Sequence, residues 1–145
     1  MRKLVIAISM LALAGSAAFA DPILDRQALM KERGKIVGGI SKVVKGEDPF
    51  DAAAVLTALQ ALQANAEKID VDALFPAGSD TGDTTASPKI WEDMAGFKAA
   101  NAKYLADVKA ATAAAPADID TLKTQFGAIA SNCGTCHQTY RVKKG

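Results

Sequence analysis

Ile23, Met30, Val37 and Val44 recur at intervals of seven residues, with Leu29, Ile36 and Val43 in an adjacent row and Ile40 between them. Adjoining heptad rows make one apolar stripe on an α-helix. They cannot make one face of a strand, whose faces alternate with every residue. The stretch opens at Asp21-Pro22, a capping side chain followed by a proline suited to the first helical position. It ends near Lys45-Gly46. A helix of about 23 residues rises about 35 Å, and its stripe must be buried against other elements.

The rest of the chain supplies them. Asp48-Pro49 repeats the start signal, and a second helix runs to about Lys68 with Phe50, Val55, Leu56, Leu59 and Leu62 facing inward. Residues 69–87 break the period. Pro76, Gly78 and Gly82 lie there among Asp, Ser and Thr, which reads as a long connection, its apolar first half (Ile69, Val71, Leu74, Phe75) tucked against the core. Ser87-Pro88 opens a third helix carrying Ile90, Trp91, Met94, Phe97, Tyr104, Leu105 and Val108. After an alanine-rich turn to Pro116, Asp118 caps a fourth helix with Ile119, Leu122, Phe126, Ile129 and Ala130 inward. No strand alternation or internal repeat competes. Two short connections and one long one predict an all-α fold, an antiparallel four-helix bundle.

The N-terminus reads differently. Met1-Arg2-Lys3 is a positive start, Leu4 to Phe19 carries no charge, and Ala18-Phe19-Ala20 matches a cleavage site ahead of Asp21. Residues 1–20 are therefore expected to be a cleaved signal peptide, and residues 21–145 the exported domain. The apolar run is shorter than the ~20 residues a membrane-spanning helix needs, and no later segment qualifies. The formal net charge of the whole chain is +1, and losing Arg2 and Lys3 keeps the domain near neutrality. That balance argues against nucleic acid, whose binding domains usually carry a basic patch.

Export makes cysteines disulfide candidates, yet the chain has only Cys133 and Cys136, in the stretch Cys133-Gly134-Thr135-Cys136-His137. Cys-x-x-Cys-His is the attachment signature of haem c. On a helix, positions i, i+3 and i+4 share a face. Two thiols can thus reach the vinyl groups of one porphyrin while the next imidazole reaches the iron, with Gly134 and Thr135 small enough to let the helix approach the ring. A structural zinc site needs four ligands, and His137 is the only histidine. A redox dithiol sits near a βαβ pattern that this chain lacks. One covalent haem c, held by Cys133 and Cys136 and ligated by His137, is the expected cofactor.

The opposite iron face has two candidate thioethers outside the signal segment, Met30 and Met94. Met30 lies in the first helix with Arg26 four residues before it. Gly34, Gly38 and Gly39 are read as leaving room for a flat macrocycle, since glycine inside a helix otherwise costs about 1 kcal/mol against alanine. Core filling is the alternative use of Met30.

Several stretches resemble the cytochrome c′ / cytochrome c-556 family of periplasmic four-helix-bundle cytochromes. They are Arg26-Gln27-Ala28-Leu29-Met30-Lys31, Lys45-Gly46-Glu47-Asp48-Pro49-Phe50-Asp51, Ser87-Pro88-Lys89-Ile90-Trp91 and Cys133-Gly134-Thr135-Cys136-His137-Gln138-Thr139-Tyr140-Arg141. The attachment site near the C-terminus is the most specific of these. The resemblance implies a periplasmic electron carrier rather than an enzyme, exchanging electrons with periplasmic redox proteins in transient encounters. It places Met30 on the distal ligand position of the low-spin c-556 type, a one-residue slip placing Leu29 there instead. The high-spin branch leaves iron five-coordinate and binds nitric oxide or carbon monoxide, and is the alternative function. The resemblance also sets Arg141 near the haem and Trp91 beside it, the alternatives being a helix-terminal cation and a core tryptophan. Arg26 is left to pair with a propionate or with solvent. Members of the family often form homodimers through their first two helices.

Overall fold

The computed structural model describes residues 21–143. The signal-peptide expectation for residues 1–20 falls outside them. Four long helices form the antiparallel bundle: α1 (Pro22–Lys45), α2 (Ala52–Glu67), α5 (Met94–Ala114) and α6 (Ile119–Tyr140), with one-turn helices α3 (Val71–Leu74) and α4 (Lys89–Glu92) inserted between α2 and α5. No strand is found among the described residues, only an isolated antiparallel bridge between Ala86 and Arg141. No helix of the described residues is long and apolar enough to cross a membrane.

Each long helix is started by an aspartate whose carboxylate accepts backbone N–H bonds that the helix leaves unpaired. Asp21 accepts from Ile23 and Leu24 for α1, and Asp118 from Thr121 for α6. α1 stops where Gly46 turns left-handed at φ +76°, its N–H bonding back to Lys42 and Val43. Two starts differ from the sequence expectation. α2 is capped by Asp51 rather than opened at Asp48-Pro49, because Phe50 spans the turn to pack on the core. The expected third helix is two. Asp93 leaves helical geometry (φ −134°, ψ 56°), ending α4 and capping α5 through its side chain.

The main core gathers Ile40, Leu59, Leu62, Val108, Leu122 and Ile129, all 0–2% exposed. Burying a side chain of this kind stabilises by roughly 1.5–3 kcal/mol. A second cluster, Val71, Ile90, Phe97 and Tyr140, lies under α3 and α4. α2 packs on α5, α5 on α6 and α1 on α2, whereas α1 and α6 meet least closely of these neighbours. A cavity opens in that gap.

The long connection is pinned at both ends. Ser87 N donates to Tyr140 O (3.0 Å) and Val142 N to Thr85 O (2.9 Å), tying it to the end of α6. The other anchor is Arg26, which is buried. Its Nη1 donates to Leu74 O (3.1 Å) and Ser79 Oγ (3.0 Å), and its Nη2 to Ser79 O and to Thr84 Oγ1 (2.8 Å). The solvent-paired alternative for Arg26 is thereby overturned: it clamps the loop.

Candidate functional site

The cavity holds about 400 Å³, within the range of ligand sites. Met30 and Arg26 reach it from α1, Phe97 and Tyr104 from α5, and Cys133, Cys136 and His137 from α6. The i, i+3, i+4 spacing does what helical geometry requires, turning both thiols and the imidazole to one side. Gly134 and Thr135 are exposed and do not line the cavity. Neither cysteine is in a disulfide, and both are half-buried. Burial pushes both thiols up from their ordinary pKa. Burial, with Arg141 and Arg33 nearby, pushes His137 down, which keeps the imidazole neutral and able to bind a metal.

Met30 is 42% exposed, one of the few large apolar side chains so open. It lines the cavity across from α6, so core filling does not account for it. Leu29 does not line the cavity, and its carbonyl accepts from Asn65 Nδ2 at 3.0 Å. Met94 packs with the second cluster instead. The room-making role read for three glycines fails. Gly34, Gly38 and Gly39 are exposed, a Cβ on any of them would meet nothing within 4 Å, and none borders the cavity. They lie on the outward face of α1.

Arg141 lines the cavity beyond His137, with its Nε donating to Thr85 Oγ1 at 3.4 Å. Trp91 does not line it. Its Nε1 donates to Phe75 O and Pro76 O, both at 3.1 Å, and its ring packs on Phe75, which does. Sequence reasoning missed Arg33 and Asn132, which also line the cavity. Arg33 follows Met30 by three positions, a spacing that shares a helix face, and that was the available signal. Among the described residues, four basic side chains (Arg26, Lys31, Arg33, Arg141) and no acidic one line the cavity.

A helical bundle with two thiols, a neutral imidazole and a basic rim around one interhelical cavity defines a candidate haem-binding protein. The family model described as cytochrome c′ matches residues 21–141. The chain is 41% identical to cytochrome c-556 of Agrobacterium fabrum over 90% of its own length and 88% of that protein. It is equally 41% identical to cytochrome c′ of Rhodopseudomonas palustris, over 89% of the chain and 87% of that protein. A nitric oxide complex of a mutant cytochrome c prime from Alcaligenes xylosoxidans superposes with a TM-score of 0.77 at 32% identity, over 88% of this chain and 98% of that one. The chain belongs to the cytochrome c′ family, whose members carry haem. The lining fits such a group, because a porphyrin with two carboxylates needs cations and no competing acid.

Proposed function

We propose that this protein is a periplasmic electron carrier with one covalent haem c and His/Met iron ligation. The observation that carries it is Met30, a half-exposed thioether facing the cavity from α1 while His137 faces it from α6. Cys133 and Cys136 would hold the porphyrin through thioethers, with His137 as proximal and Met30 as distal ligand. The bound group supplies reversible one-electron chemistry at iron, and a His/Met pair raises its potential. The chain does the rest. Arg141, and Arg26 from within the loop it clamps, would add positive charge near the carboxylates, Phe75 and Phe97 would exclude water, and ligands carried on two packed helices would keep the geometry constant through the redox cycle. Residues 1–20 act as the export signal, and redox partners bind briefly, as such encounters do.

The second reading is a five-coordinate gas-binding cytochrome. It is favoured by the equal identity to a cytochrome c′ and by the nitric oxide complex of a structural relative. Absorption spectra of the purified holoprotein decide. The carrier reading expects low-spin spectra in both oxidation states and no uptake of carbon monoxide. A high-spin spectrum with ready carbon monoxide binding overturns it. Haem retained on the denatured polypeptide tests the attachment at Cys133 and Cys136.

A further inference from the structure

Arg33 lines the same cavity as Met30, and the ligation just proposed makes no use of it. Its Nε donates to Asn65 Oδ1 at 3.1 Å. Its guanidinium carbon lies 4.2 Å from the ring centroid of Tyr104. Among the described residues its Nη2 is buried with no hydrogen-bond partner, and so is the hydroxyl of Tyr104, a side chain only 5% exposed. Asn65 is itself 0% exposed and fixed, its Nδ2 donating to Leu29 O (3.0 Å) and Glu32 Oε2 (2.8 Å). An amide oxygen and an aromatic face thus hold Arg33, and neither neutralises it.

A buried N–H without a partner costs about 1–3 kcal/mol, so it calls for a reason. The cavity supplies one. Arg33 lines one cavity with Cys133, Cys136 and His137, the three residues expected to carry the haem. In a water-poor interior its charge is weakly screened. When one electron arrives from a redox partner, the iron–porphyrin core goes from one positive charge to none. A fixed cation nearby therefore destabilises the ferric form more than the ferrous.

We propose that Arg33, positioned by Asn65 and Tyr104, biases the haem iron toward its ferrous state. This rests on haem attachment at Cys133 and Cys136 but not on ligation by Met30. The test is a spectroscopic redox titration of the holoprotein and of Arg33→Gln, Arg33→Met and Arg33→Lys. Removing the charge is expected to shift the ferric/ferrous ratio several-fold to about tenfold toward ferric at a given ambient potential, tenfold being about 59 mV for one electron. Arg33→Lys should keep most of the unmutated midpoint. Arg33→Met leaves no unpaired N–H and is the variant expected to fold where Arg33→Gln does not. An unchanged midpoint in the uncharged variants, an equal shift in Arg33→Lys, or failure of both uncharged variants to fold with haem overturns the proposal. Failure of Met30 ligation is read separately, in the spin state of the unmutated protein.

Discussion

The hydroxyl of Tyr140 donates to the carboxylate of Asp93 at 2.9 Å, joining the last turn of the haem-motif helix to the residue that divides α4 from α5. Asp93 uses its other oxygen to cap α5, accepting from Gly96 N at 3.1 Å. One carboxylate thus caps α5 and ties the end of α6 to it. Gly96 lies under this bond, and a Cβ there would fall 2.6 Å from Tyr140 Oη and closer still to Asp93.

Two substitutions test that junction. Tyr140→Phe should destabilise the protein by removing the hydrogen bond to Asp93. Gly96→Ala should cost about 1–3 kcal/mol by overpacking. Denaturant midpoints measure both. A Gly96→Ala protein as stable as the parent would mean that Asp93 and Tyr140 shift apart freely.

Met30→Leu should convert a low-spin spectrum to a high-spin one and open ferrous iron to carbon monoxide. The substitution removes the thioether while keeping an apolar side chain of similar size. An unaltered low-spin spectrum in this variant would sink ligation by Met30.

Arg26→Met should cost about 2–4 kcal/mol, because it leaves Leu74 O, Ser79 O and Thr84 Oγ1 short of the donor they share. The effect should be local. Hydrogen exchange and proteolysis should rise over residues 75–87 before the long helices respond.

Tyr104 predicts an alkaline limb. Burial pushes its pKa from 10.0 up to about 12. Between those values the unfolded chain has released its proton while the folded one retains it, so stability falls as pH rises. The contribution is complete below pH 10 and lost by about pH 12, roughly 2–3 kcal/mol at ~1.4 kcal/mol per pKa unit. Denaturation midpoints across that window should be flatter in Tyr104→Phe.

Much of this fold was legible along the chain. The heptad rows of α1, the aspartate caps and Gly46 are local signals, since a helix buries residues three and four apart and ends where its backbone groups find other partners. Cys133, Cys136 and His137 were legible for the same reason: their common face depends only on helical periodicity. The division at Asp93 was not, and one of the partners of its carboxylate, Tyr140, lies 47 residues away. The roles of Arg26 and Trp91 were hidden likewise. Their acceptors are carbonyls and hydroxyls of residues 74–84, and helical periodicity does not show where those groups will stand.

The sequence by itself determined the four long helices in outline, the cofactor motif and its place on the last helix, because each rests on spacing within one element. Only the tertiary structure decided which residues meet across the cavity. It turned Met30 toward α6 rather than into the core, turned Gly34, Gly38 and Gly39 outward, and brought Arg33 into the lining. Those outcomes follow from how α1, α5 and α6 are rotated against one another. That rotation is set by the sum of the core contacts rather than by any single local pattern.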